Sequence, residues 1–427
     1  MKDFNSPEYR RSRCAYNIQC AIEYFVTLLL ADAFLAKLLS YIGISDAWVG
    51  IISSFATMAF TFQLLSIFLI KMKMSTKTLV TTVDVASVFF SMLLYFVPFM
   101  PISSEAKTIV VVLSVFIAYV ARYLVLSIYF KWGNSFVEPT KRASFSATKE
   151  IISLLGGMVF VAVMGKIIDS YESLNNIEGG FLFVALTILV LNIFNFICLL
   201  LIKKEDEGER KAEQAPFLEV IRNTLGNKNF RSVIILTVIW EAGRYFTVGF
   251  LGIYKTKDLM MSVFLVQVVN IIANFARALV SRPLGKYSDK TTYAKGMKLG
   301  LWIAAAAFFV NIFTTQSSWY MIIIYTILYD CSMASTNQNS FNITYSYVDS
   351  KYIPQAMAFK NSIGGLCGFL ASLLGGKIVS VVQANGIMVF GMLIYAQQIL
   401  SAISVVLILS AIFYTKKVIE KQEVMIQ

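Results

Sequence analysis

The sequence predicts an all-α integral membrane protein: 12 transmembrane helices in two pseudo-symmetric six-helix bundles, with both termini cytoplasmic. Three observations carry that prediction. First, 57% of the 427 residues are hydrophobic and the mean hydropathy is +0.69. Soluble domains sit at roughly 45–50% apolar. The excess lies in blocks of the ~20 residues that a helix needs to cross ~30 Å of hydrocarbon. Second, the chain carries a net charge of +12, and most of its 37 Lys and Arg fall on one side of those blocks. Such an asymmetry marks the cytoplasmic face. Third, a stretch occurs twice. Residues 135–167 and 346–378 align without a gap at an offset of 211, about half the chain. Their identities include Ser135/Ser346, Lys149/Lys360, Gly157/Gly368 and Gly165/Gly376.

In chain order the spans read as 15–39, 47–70, 78–99, 107–130, 143–168, 180–202, 231–254, 258–281, 296–315, 319–342, 355–380 and 387–415. The first thirteen residues are polar and hold Arg10, Arg11 and Arg13. The apolar run after them is too long for a signal-peptide core, so it is expected to stay as span 1. All seven prolines fall in the expected loops or at span edges, as helix breakers should. The longest polar stretch, 203–230, divides an N-terminal bundle at 1–202 from a C-terminal bundle at 231–427. Within it Phe217 to Leu225 has helical apolar spacing, readable as an interfacial helix or as part of a solvated linker. A weaker echo aligns Glu23-Tyr24-Phe25 in span 1 with Arg244-Tyr245-Phe246 in span 7.

Several function classes lose support at this point. No basic stripe with interleaved aromatics lies on a soluble face, so nucleic acid is not an expected partner. The five cysteines are scattered and histidine is absent. Neither a zinc spacing nor a nucleophile–base constellation is visible, so no metal, cofactor or catalytic residue is expected.

Charges inside the spans are the strongest functional signal, since each costs about 2.5–3.5 kcal/mol at mid-bilayer unless it faces a cavity or a partner. At ~1.5 Å per residue, Glu23 in span 1, Glu241 and Arg244 in span 7 and Asp330 in span 10 lie near the midplane. Arg122 in span 4 lies somewhat toward the cytoplasm. Glu23 shares a helical face with Gln19 and Thr27. Gln267, Asn270, Asn274 and Arg277 form a polar stripe on span 8, fit to line water or an interhelical hydrogen-bond ladder. Glu241 and Arg244, three residues apart, are placed either to neutralise each other or to meet a solute. Lys149, Arg277 and Lys360 are within snorkelling reach of the interface. Asp84 is assigned to a span end.

Between spans 8 and 9 stands Gly285-Lys-Tyr-Ser-Asp289-Lys290, followed by Lys295. This resembles the signature loop of the major facilitator superfamily, with Gly285, Asp289 and Lys290 matching and Thr292 where a second glycine is usual. The first-half equivalent, residues 66–77, is degraded. The span 4–5 turn ending in Lys141-Arg142 also resembles the family's turn there. The resemblance implies that Gly285, Asp289, Lys290 and Arg142 form conformational loops, with Asp289 biasing one state. Span 5 lacks the Gly-Pro motif of the superfamily's drug/proton antiporters.

Taken together, these features lead to an alternating-access transporter for a small polar organic solute, such as a sugar, nucleoside or organic acid. Glu23 is the expected proton-coupling residue. Glu23, Arg122, Arg244, Gln267, Asn270, Asn274 and Asp330 are the expected solute-binding residues. Protons and sodium are the candidate coupling ions, the lipid bilayer the other partner, and a monomer in a bacterial plasma membrane the expected state. Export of amphipathic compounds is the alternative, and a non-transporting receptor or scaffold a more remote one.

Overall fold

The computed structural model describes residues 4–65, 69, 74–138, 142–204, 226–348, 353–386, 388–389 and 392–422. In chain order its longer helices are α1 (Pro7–Leu29), α2 (Asp32–Ile42), α3 (Asp46–Ser53), α4 (Phe55–Phe62), α5 (Thr76–Phe96), α6 (Ser104–Asn134) and α7 (Arg142–Ser173). Then follow α8 (Ile177–Leu201), α9 (Lys228–Val248), α10 (Val263–Lys290), α11 (Tyr293–Ile312), α12 (Met321–Tyr347), α13 (Ile353–Asn385) and α14 (Ala396–Tyr414). A two-residue hairpin, Met388–Val389 with Met392–Leu393, precedes α14. The expected interfacial helix at Phe217 to Leu225 lies outside the described residues.

Among the described residues, ten helices are long and apolar enough to cross a membrane, or 11 with the bent pair α1–α2 counted as one span. The expected span 10 corresponds to α12, 27 residues long. It is not one of the ten, because its second half is a run of Ser, Thr, Asn and Gln. Apolar side chains face outward rather than inward on α8, where Val190, Ile193, Phe194 and Ile197 are exposed. That is the arrangement that hydrocarbon requires.

Helix starts follow local chemistry. Ser75, Ser103, Asn176, Asn227 and Thr292 each accept a backbone N–H of the first turn that follows, satisfying donors that a helix cannot pair internally. Three boundaries differ most from the sequence reading. Span 1 is broken: α1 and α2 meet at a 45° bend, with Asp32 at φ 47°. A break at this depth frees carbonyls, and two tyrosines take them. The Tyr95 hydroxyl donates to the Leu29 carbonyl at 2.6 Å and Tyr119 to Leu30 at 2.8 Å. Span 8 ends later than expected, because α10 continues through Pro283 to Lys290. Proline there is not confined to a loop. Span 12 begins later, at Ala396.

The chain packs as two compact units. The first comprises Met1–Ile44, Phe62–Gln214 and Ser262–Gln267, the second Ser45–Thr61, Ala215–Met261 and Val268–Gln427. In the first, Tyr9, Tyr16, Tyr129, Trp132 and Phe136 build an aromatic core. In the second, Ala47, Phe250, Val379 and Leu400 pack together.

The repeated stretch makes the same contact in each unit. In the first, Gly157 on α7 is the seat of Tyr24, whose Cε1 lies 2.6 Å from where a Cβ would be. In the second, Gly368 on α13 seats Tyr245, with Cδ2 at 2.8 Å. The aligned glycines and the aligned tyrosines thus meet in both copies. Gly165 lets the backbone of Phe264 approach, and the aligned Gly376 lets Ile51 approach.

One polar cluster in the second unit holds α3 by its first turn. Asp46 is 5% exposed and accepts two bonds from the Lys257 ammonium, at 2.7 and 2.8 Å, and one from Gln383. Lys257 is half exposed. Removing it strands a buried carboxylate, whereas neutralising Asp46 leaves a lysine free to hydrate. Lys257→Ala is therefore expected to cost more stability, about 2–3 kcal/mol, than Asp46→Asn. The order of thermal midpoints in detergent checks this.

Candidate functional site

Two charged centres sit on the first long helix of each unit. In the first unit, Glu23 on α1 pairs with Arg122 on α6, Nε to Oε1 at 3.2 Å. Arg122 Nη1 also donates to the Glu23 carbonyl at 2.9 Å. The side chains are 13% and 19% exposed respectively. The i+4 residue Thr27 returns a hydroxyl to the Glu23 carbonyl at 2.8 Å. Glu23, Thr27, Ser87, Ser91, Tyr119 and Arg122 line one small cleft. Next to it Asp84 on α5 is buried and accepts a bond from Asn195 of α8. Both Glu23 and Arg122 are within electrostatic reach of Asp84. Gln19, one turn before Glu23, is fully buried and accepts the Tyr129 hydroxyl, which also meets Cys20 at 2.8 Å.

In the second unit Glu241 and Arg244 of α9 form an ion pair at 3.3 Å. Their i, i+3 spacing places them on adjacent turns of one face. Arg244 Nη2 donates to the Tyr245 hydroxyl at 2.8 Å, and Nη1 lies 4.0 Å from Met333 Sδ. Because Gly368 seats that tyrosine, the repeat also fixes where the guanidinium points. Glu241 faces a cavity of about 230 Å³ whose wall also carries Trp240, Asn337, Ser340, Lys360 and Asn361. Lys360 is 3% exposed. Its ammonium donates to Ser340 Oγ at 2.9 Å, Thr344 Oγ1 at 3.2 Å and the Ser340 carbonyl at 3.3 Å.

The remaining expected residues are more dispersed. Gln267 is buried near the start of α10, Asn270 and Asn274 follow on the same helix, and Asp330 is half-buried on α12. Among the described residues lining the 230 Å³ cavity, none of these four occurs, nor does Arg244. Gly285, Asp289 and Lys290 do not form a loop. They occupy the last turns of α10, with Gly285 buried and Asp289 and Lys290 exposed. Asp289 thus meets the negative end of that helix's dipole, not the positive end expected from a loop preceding a helix. Thr292 is the N-cap of α11. The side chain of Arg142 lies outside the described residues.

Two functional candidates were missed. Asp84 stands eight residues into α5, about 12 Å along the helix at 1.5 Å per residue, well inside it rather than at its end. Its depth was legible once the helix start at Ser75 was recognised. Lys360 does not snorkel: α12 covers it. The signal was the Lys149/Lys360 identity in the repeat. Lys149 itself lies 4.6 Å over the ring of Phe130.

A family model described as MFS/sugar transport protein matches residues 20–341. The chain belongs to this family, within the major facilitator superfamily. Its members are membrane transporters, not enzymes. No match is found among curated proteins. Solved structures share the fold of this family member at low identity. The nucleoside transporter NupG matches with TM-score 0.69 and 15% identity, over 96% of this chain and 100% of that one. The POT family transporter PepTSo matches with TM-score 0.74 and 11% identity, over 97% and 99%. A D-xylose-proton symporter matches with TM-score 0.69 and 12% identity, over 95% and 97%.

Proposed function

We propose that this family member moves a small polar organic solute, a sugar, nucleoside or organic acid, across the plasma membrane by alternating access. The cavity on α9, α12 and α13 carries the reading. Its wall combines an indole, a carboxylate, two amides and an ammonium, a mixture suited to a solute with several hydrogen-bonding groups and one ring or apolar face. An amphipathic-export site would need fewer such groups. The fold's likeness to NupG and to a D-xylose-proton symporter supports the same class.

Within this reading residues 1–202 and 231–427 act as the two moving halves, joined by 203–230, with both termini cytoplasmic. Arg244 orients the cavity wall through Glu241. Gln267, Asn270, Asn274 and Asp330 supply hydrogen bonds in other states of the cycle. Gly285, Asp289, Lys290 and Arg142 serve the conformational change on the cytoplasmic face.

Glu23 is the coupling residue. Its carboxylate is the counter-charge of Arg122, so protonation releases a guanidinium buried in the membrane. That is a large local change in charge balance for one proton. Proteoliposomes given glucose, glucuronate, uridine or uridine 5′-monophosphate, with and without an inward proton gradient, test this. Glu23→Gln is expected to lose gradient-driven accumulation by about tenfold or more, while downhill exchange persists. Full gradient-driven accumulation by Glu23→Gln would falsify the assignment.

A further inference from the structure

Lys360 is placed where a lysine is costly. It is seven residues into α13, about 10 Å along the helix, and 3% exposed. Its three N–H donors are matched by three oxygens, but all three are neutral: two hydroxyls and a carbonyl. Satisfied donors are not a neutralised charge. Among the described residues no carboxylate lies within ion-pair distance of its ammonium. The nearest acid in the cavity wall, Glu241, is already committed to Arg244 at 3.3 Å. Glu241, Arg244 and Lys360 together thus carry one positive charge in excess. A buried cation of this kind is retained where a partner arrives from outside.

We propose that this cavity takes a small organic anion, a carboxylate or phosphate monoester attached to a ring or a polyol, with Lys360 as its charge partner. The inference rests on the transport reading above and narrows its solute class. Asn337 and Asn361 lie in the same wall and offer amide hydrogen bonds to the polar end of the solute. Trp240 offers an indole face to its ring. Ser340 and Thr344 hold the ammonium while the cavity is empty. They release it at small cost, because an anionic oxygen makes a stronger bond to an ammonium than a hydroxyl does.

The test is equilibrium binding to the purified chain by isothermal titration, with three matched pairs: D-glucuronate against D-glucose, benzoate against benzamide, and uridine 5′-monophosphate against uridine. The anion of at least one pair is expected to bind about tenfold or more tightly than its neutral partner. The first two pairs report a carboxylate and the third a phosphate. Lys360→Met is expected to abolish that preference and Lys360→Arg to keep it. Neutral partners binding as well as the anions in every pair, or none of the three anions binding, overturns the proposal. So does a Lys360→Met protein that retains the preference. If Lys360→Met does not fold, the wild-type pairs and Lys360→Arg decide. The two readings fail separately. Uptake of glucose or uridine without anion preference removes only the anionic assignment. Anion binding without uptake of any panel member in proteoliposomes removes the transport reading and leaves the site.

Discussion

Replacing Arg122 with methionine is expected to destabilise the protein by about 3 kcal/mol, the lower end of the cost of breaking a buried ion pair. The reason is what stays behind. Glu23 loses the guanidinium that stood 3.2 Å from its carboxylate. Asp84, buried and within electrostatic reach, then faces a second carboxylate without the guanidinium that offset both. The carbonyl of Glu23 also loses the 2.9 Å bond from Arg122 Nη1, although Thr27 still reaches it. The partial exposure of the pair admits some solvent, which is why the larger values in that range are not expected. A second variant isolates the charge. In Arg122→Met combined with Glu23→Gln the stranded carboxylate is gone, so most of the lost stability should return. Thermal denaturation in detergent should rank wild type first, the double variant next and Arg122→Met last. A double variant less stable than Arg122→Met alone would show that the pair is not what holds α1 to α6.

How far the sequence could be read depended on the kind of signal. Apolar block length announces a span whatever the tertiary context, so the all-helical membrane fold was open to inspection. The duplication was open too, and it reached further than fold: aligned Tyr24/Tyr245 and Gly157/Gly368 form the same contact in both copies. Depth was harder. It requires a correct helix start, and an error of a few residues misplaced Asp84. Exposure was harder still, because it depends on which helix lies alongside. Lys360 read as a snorkelling residue until α12 was found to cover it with Ser340 and Thr344. Pro283 read as a loop residue because isolated helices break at proline, yet α10 runs through it. Partners across helices, such as Asn195 for Asp84 and Lys257 for Asp46, leave no mark on one sequence at any spacing.

Gly365 is expected to be the least replaceable glycine of α13, and its neighbour Gly364 the control. Gly364, Gly368, Ser372 and Gly376 of α13 are small residues spaced four apart, a spacing that lets helix backbones approach closely. Gly365 is outside that series, turned 100° from Gly364. A Cβ at Gly365 would lie 2.2 Å from the backbone carbonyl oxygen of Thr57. Backbone cannot step aside as a side chain does, and hydrogen bonds pin both partners nearby. Thr61 Oγ1 donates to the Ser362 carbonyl at 3.2 Å and Ser362 Oγ to the Phe60 carbonyl at 3.1 Å. A Cβ at Gly364 would instead meet Thr237 Cγ2 at 2.9 Å and Glu241 Cγ at 3.1 Å, both side-chain atoms able to shift. Gly365→Ala is therefore expected to cost about 3 kcal/mol or more, and Gly364→Ala about 1 kcal/mol, by overpacking. The same variants separate transport from stability. Gly365→Ala pushes α13 away from α4 and should reduce solute uptake even at temperatures where the protein remains folded. Gly364→Ala disturbs only the wall near Glu241 and should change affinity before rate. Equal melting temperatures for the two alanine variants would mean that the Thr57 carbonyl moves freely, and that α4 is not held against α13 as the hydrogen bonds indicate.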